Sequence, residues 1–125
     1  MLIDTDVLIW LFRGRESARR AVERADRVEL SAVTYMELVQ GMRDKGELRL
    51  FRKTVHDRAW TVRPLSENVS HRAILYVETY ALSHGLQLAD ALIAATAVES
   101  GTALMTANTK HYRPVADVEL VAYRP

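Results

Sequence analysis

The apolar residues of this chain follow two rhythms. Short runs at 1–3, 28–31, 59–62, 102–106 and 118–122 read as buried strands. Between them lie longer stretches in which apolar residues recur at helical spacing. Residues 7–12 are apolar and too long for one simple strand, which predicts a short helix after a turn at Thr5-Asp6, broken by Gly14. Ser17 is placed to cap a helix over 18–25. A helix over 32–42 follows the second strand, with Val33, Met36 and Val39 at helical spacing. Next, 47–57 carries Leu48, Leu50, Phe51 and Val55 as a buried stripe. Ser66 or Ser70 opens a long helix to His84, with Ala73, Ile74, Val77 and Ala81 facing inward and Gly85 as its left-handed stop. The small-residue stretch 88–99 forms a helix able to pack close to a sheet. Strands alternating with helices predict βαβ units, right-handed crossovers and a parallel α/β sheet.

In such sheets, ligands bind outside the carboxyl ends of the strands. Asp4 follows the first strand, Glu37 lies in the helix after the second, Asp90 opens the helix before the fourth, and Thr106 and Asn108 lie at or just past the fourth strand's end. Carboxylates gathered in one pocket raise each other's pKa unless a cation neutralises them. Hard oxygen ligands suit Mg²⁺ or Mn²⁺. The pattern therefore points to a metal-dependent enzyme acting on phosphodiesters.

Each residue also has a plainer role open to it. Asp4-Thr5-Asp6 suits an Asx turn, and Asp6 fits that role well. Thr34-x-x-Glu37 matches a capping box. Asp90 suits the first turn of a helix, where the dipole favours an acid. The segment 106–112 is a polar loop, or else Thr106 and Asn108 hold a water while Lys110 or His111 meets a phosphate. His56, His71 and His84 stand singly, without metal-ligand spacing.

Composition narrows the setting. The 125 residues suit a single domain over 1–125, and 49% hydrophobic residues are enough for a core. Charged residues make up 26% with a net charge of +1, so attraction to nucleic acid must come from a local basic patch or a metal. The absence of cysteine rules out disulfides and thiolate metal sites and suits a cytoplasmic address. No run approaches the ~18 apolar residues of a membrane span, and the start lacks the pattern of a signal peptide.

Four segments carry a resemblance: Asp4-Thr5-Asp6-Val7-Leu8-Ile9, Ser31-Ala32-Val33-Thr34-Tyr35-Met36-Glu37-Leu38, Leu88-Ala89-Asp90-Ala91-Leu92-Ile93-Ala94-Ala95-Thr96-Ala97 and Thr106-Ala107-Asn108-Thr109-Lys110-His111-Tyr112. In order and spacing they resemble the PIN-domain ribonucleases, and in length the VapC toxins of toxin–antitoxin pairs. The resemblance implies a PIN-like three-layer fold with a central, mainly parallel five-stranded sheet flanked by helices. It implies a Mg²⁺- or Mn²⁺-dependent endoribonuclease cutting tRNA, rRNA or mRNA, working as a homodimer and neutralised by a small VapB antitoxin. It makes Asp4, Glu37 and Asp90 the metal ligands, with Thr106 and Asn108 beside them. Where relatives carry a further acid after the fourth strand, this chain has Asn108 and His111, and Asp6 is the residue placed to supply the missing charge. Arg13, Arg15, Arg43, Arg49 and Lys110 would follow the RNA backbone. A water nucleophile predicts 5′-phosphate and 3′-hydroxyl products.

Other classes compete. A PIN-like module that binds RNA or protein without catalysis fits the missing fourth acid. Asp-x-Asp also resembles haloacid-dehalogenase-like phosphatases, but no Gly follows the second Asp and no late acidic pair is present. In a purely structural domain, the acids would be caps and turns.

Overall fold

A computed structural model describes residues 1–125. Its elements are β1 (Leu2–Ile3), α1 (Thr5–Phe12), α2 (Glu16–Arg24), β2 (Glu29–Ser31), α3 (Ala32–Gln40), α4 (Lys45–Asp57), β3 (Thr61–Arg63), α5 (Glu67–His84), α6 (Leu88–Glu99), β4 (Leu104–Thr106), α7 (Thr109–Tyr112) and β5 (Leu120–Ala122). The strands form one 5-stranded sheet in the order β3-β2-β1-β4-β5. Every neighbouring pair is parallel, so the sheet expected to be mainly parallel is wholly so.

Register decides which residue faces which layer. Leu2 pairs with Glu29 and Leu104, and Ile3 with Met105. Successive strand residues point to opposite faces. Leu2 and Leu104 accordingly join a core with Val69, Ala73 and Tyr76 of α5 and Ile93, Ala94 and Ala97 of α6. Ile3, Leu30 and Met105 join a second core with Val7 and Leu8 of α1, Ala18 and Val22 of α2, Leu38 of α3 and Phe51 of α4. Burial on both faces is why the strands show as continuous apolar runs with no polar alternation.

The helix starts have local causes. Ser31 accepts the N–H of Val33 at 3.0 Å, Asp44 that of Glu47 at 2.8 Å, and Ser66 that of Val69 at 3.2 Å. Gly85 ends α5 at φ 67°, where an L side chain is strained. Ser66, not Ser70, is thus the cap of α5.

Several expectations are corrected. The first helix begins at Thr5, because the Asp4 carboxylate accepts the Thr5 N–H and starts the helix there. Ser17 lies inside α2; its hydroxyl bonds that of Tyr123 at 2.9 Å, and Arg15 holds the cap position without a side-chain bond. Thr34 is no cap either, since Ser31 opens α3 and Thr34 lies within it, so the Thr34–Glu37 capping box does not form. The helix expected over 47–57 begins at Lys45, and Leu50 on its outer side is 63% exposed. Ile74 turns outward at 56% exposed, because α5 rests on Val69, Ala73 and Tyr76 and Ile74 falls on the next face round. Met36 is exposed as well. The expected polar loop after β4 contains a short helix, α7.

Of the two buried acids, Asp4 and Glu29, the second has an ion-pair partner. Glu29, beside Leu2 on the α5–α6 side of the sheet, is buried. Arg63 of β3 reaches it on the same face, donating from Nε at 2.9 Å and also from its NH2 group. No helix is long and apolar enough to cross a membrane.

Candidate active site

The strand order contains a switch point. From the central β1 the chain builds outward through β2 and β3 on one side, and through β4 and β5 on the other. The crevice at the carboxyl ends of β1 and β4 is where α/β sheets bind ligands. Asp4 sits at the end of β1 and Thr106 at the end of β4.

Asp4 is only 6% exposed. Its Oδ1 accepts the Thr5 N–H at 2.8 Å, and its Oδ2 accepts the Thr106 hydroxyl at 2.8 Å. The Asn108 N–H donates to that hydroxyl's oxygen at 3.0 Å, which leaves the Thr106 proton free to face Asp4. Asp6, in the first turn of α1, accepts the Ala107 N–H at 3.1 Å through Oδ2, while its Oδ1 is buried with no partner. Asp90, in the first turn of α6, accepts the Tyr112 hydroxyl at 3.3 Å through Oδ1. Its Oδ2 lies 3.7 Å from Nδ1 of His111. Tyr112 is fully buried, and its phenol also feels the charge of Asp4. On the other side, the Thr5 hydroxyl donates to Oε1 of Glu37 at 2.8 Å and lies 3.0 Å from that of the buried Thr34.

Burial sets the electrostatics. Loss of water pushes the Asp4 carboxyl up to about 6, and the charge of Asp6 adds to the rise. The bonds from Thr106 and the Thr5 N–H, and the nearby Tyr112 hydroxyl, oppose it. Asp6 is also raised by burial, against the N–H groups of Ala107, Val7 and Asn108 and the Thr106 hydroxyl. The Tyr112 phenol is held far above its ordinary range, first by burial and then by the charges of Asp4 and Asp90. At neutral pH it stays protonated and can donate its O–H to a carboxylate.

The structure thus brings Asp4, Asp6 and Thr106 together by hydrogen bonds, and sets Asp90, Tyr112 and His111 beside one another. Glu37 stands at its rim, exposed and turned to Thr5. Asn108 joins through its backbone, with its side chain exposed and making no capping bond. No three His, Cys, Asp or Glu side chains form a ready-made metal cluster. The donor set still suits a divalent cation. The oxygens are hard, the Asp4 carboxyl is raised by burial, and Asp6 Oδ1 is a buried acceptor without a donor.

The cationic residues are scattered. The guanidinium groups of Arg13 and Arg15 lie 5.8 and 4.6 Å from the centre of the Trp10 ring. Arg43 pairs with Glu47 at 2.8 Å. Arg49 and Lys110 are exposed. A groove of about 720 Å³ runs beside Glu37, lined by Ile9, Phe12, Leu50 and Phe51, with Arg13 and Arg43 also on its walls. Sequence reasoning missed Tyr112, Thr5 and Thr34. Thr5 lies inside the first motif beside Asp4, Thr34 stands three residues before Glu37, and Tyr112 follows His111 directly.

The class is therefore an α/β protein with an acidic site at the switch point of a wholly parallel sheet. Over residues 1–116 the sequence matches the PIN domain, and the chain belongs to that family. Among curated proteins it is 34% identical over 116 residues to Ribonuclease VapC10 of Mycobacterium tuberculosis, covering 90% of this chain and 85% of that one. It is 27% identical over 123 residues to Ribonuclease VapC19 of the same organism, covering 94% and 96%. Among solved structures, a toxin–antitoxin complex from Klebsiella pneumoniae contains a chain that is 28% identical with a TM-score of 0.79, covering 98% of this chain and 97% of that one.

Proposed function

We propose that this chain is an endoribonuclease that hydrolyses RNA phosphodiester bonds with Mg²⁺ or Mn²⁺, and that it is the toxin of a toxin–antitoxin pair. The observation that carries this reading is the pair of hydrogen-bonded sets at the sheet's switch point, Asp4 and Asp6 on Thr106 and Asp90 on Tyr112, in a chain similar to proteins named ribonucleases. That similarity favours catalysis over a module that only binds.

Asp4 and Asp90 would hold the cation, with Glu37 joining from the rim. When bound, a divalent cation makes a water more acidic and offsets charge on the phosphoryl oxygens. The chain's own groups supply the rest. Thr106, oriented by the Asn108 N–H, fixes the inner oxygen of Asp4. Thr5 holds Glu37 toward the site from the start of α1. Asp6, on α1, would supply the charge that relatives draw from a further acid after the fourth strand. Arg13, Arg15, Arg43, Arg49 and Lys110 would follow the RNA backbone along a single-stranded loop whose bases can splay out.

The groove beside Glu37 suits a VapB-like antitoxin segment, its apolar walls taking apolar side chains and Arg13 an acidic one. A homodimer belongs to the same reading, and the exposed Ile74, Leu75 and Leu82 of α5 offer an apolar surface for it. So does a cytoplasmic location, where the proposed RNA substrates are. The test is end-group analysis of RNA cut by the purified protein, with and without its antitoxin. A 5′-phosphate and 3′-hydroxyl, with cutting suppressed by the antitoxin, are expected. A 2′,3′-cyclic phosphate would reject water as the nucleophile.

A further inference from the structure

Tyr112 heads the fully buried side chains by volume. It packs in the core between the sheet and α5–α6, among Ile93, Ala94, Leu104 and Val115. Phenylalanine would fill that space without bringing a hydroxyl that needs a partner. The hydroxyl points out of the apolar layer into the acidic site, where it donates to Asp90 Oδ1 at 3.3 Å and feels the charges of both Asp90 and Asp4. Asp4 is carried by the end of β1, Asp90 by α6 and Tyr112 by α7. A single O–H therefore ties α7 to α6 at the point where the end of β1 brings Asp4 in.

The two acids depend on it unequally. Asp4 is already fixed, one oxygen by the Thr5 N–H and the other by Thr106. Asp90 has no backbone donor, and its neighbour His111 lies at ion-pair distance, 3.7 Å from Oδ2. The hydrogen bond that holds the Asp90 side chain is the one from Tyr112. Outer groups that orient a ligating carboxylate contribute to metal affinity without touching the metal.

We propose that Tyr112 is a positioning residue: anchored in the core, its hydroxyl holds the Asp90 carboxylate in place, so that Asp90 and the separately fixed Asp4 meet a divalent cation as a preset pair. This rests on the reading of Asp4 and Asp90 as metal ligands. Tyr112→Phe keeps the ring and its packing and removes only the hydroxyl. Tyr76→Phe is the matched control, because the Tyr76 hydroxyl donates to the carboxylate of Asp117 at 3.0 Å, away from the acidic site. Mn²⁺ is titrated calorimetrically into metal-free wild type and both variants, and RNA cleavage is followed against Mn²⁺ concentration.

Tyr112→Phe should bind Mn²⁺ roughly 10–100-fold more weakly, with cleavage largely recovered at high Mn²⁺. Tyr76→Phe should bind as wild type does. A purely structural Tyr112 would lower melting temperature and leave Mn²⁺ affinity in place. Wild-type Mn²⁺ affinity in Tyr112→Phe, or an equal loss in Tyr76→Phe, would overturn the proposal while the metal reading stands. Wild-type protein that binds no Mn²⁺ would overturn the metal reading, and this inference with it.

Discussion

Replacing Asp4 by Asn should make the metal-free protein more stable at neutral pH. Burial holds the Asp4 carboxyl near 6 in the folded chain, against an ordinary value of 3.8. At 1.36 kcal/mol per unit, ionised Asp4 costs the fold about 3 kcal/mol. The folded state keeps its proton to a higher pH than the unfolded state does. Stability from this group is therefore full below about pH 4 and is lost as pH rises through about 6. Asparagine removes that charge. It also forces Thr106 to reverse its bond to the inner atom, at a cost of about 1 kcal/mol. The net gain at pH 8 in EDTA is about 2 kcal/mol, or roughly 6–8 °C in melting temperature for a domain of this size. Below pH 4 the ionic gain is gone and the variant should be the less stable protein.

The assay is thermal or urea unfolding of wild type and Asp4→Asn from pH 4 to pH 8 in EDTA, read as the difference between the two. Taking the difference cancels groups such as Glu16 and Asp57, whose carboxyls are lowered by their ion pairs and titrate in both proteins. Mn²⁺ at about 100 times its Kd should then stabilise wild type by about 2.7 kcal/mol and the variant much less. An Asp4→Asn protein no more stable than wild type at pH 8, or a difference that does not change with pH, would refute the reasoning.

Other outcomes follow from the same structure. Thr106→Val removes the donor to Asp4 and the acceptor of the Asn108 N–H, and should lower RNA cleavage by roughly 10–100-fold, checked by initial rates on one RNA. Arg63→Ala leaves buried Glu29 with only the N-terminal ammonium at 4.0 Å, and should cost about 2 kcal/mol in urea unfolding with cleavage per folded molecule unchanged. Arg13→Ala with Arg15→Ala should reduce the slope of log affinity for RNA against log salt by roughly 1.4, measured by fluorescence anisotropy in EDTA.

Much of the fold was legible because burial on both faces gives short apolar runs, and these marked every strand to within two residues. The alternation with helices gave the parallel sheet, and its switch point brought Asp4 beside Thr106. What the sequence hid was local competition for the same atoms. Asp4 takes the capping role that would have started α1 later, and Ser31 takes the one that Thr34 resembled. Ser17 finds Tyr123 from the far end of the chain, a partner no local pattern contains. Ile74 and Leu50 are apolar and outward, and periodicity alone does not tell an inner stripe from an exposed neighbour when both are rich in leucine and isoleucine. Tyr112 was hidden for a different reason. A lone aromatic after a polar stretch signals core, and only the three-dimensional placement shows its hydroxyl emerging among the acids.

The most direct test of the nuclease reading is cleavage of total RNA by antitoxin-free protein in Mg²⁺, Mn²⁺ or EDTA, beside folded Asp4→Asn and Asp90→Asn. Cutting that requires the metal and is lost in both variants is the predicted result. Cutting that survives in EDTA, or that survives either substitution in Mg²⁺ and Mn²⁺, would contradict it, as would a folded wild-type protein that leaves RNA intact under all three conditions.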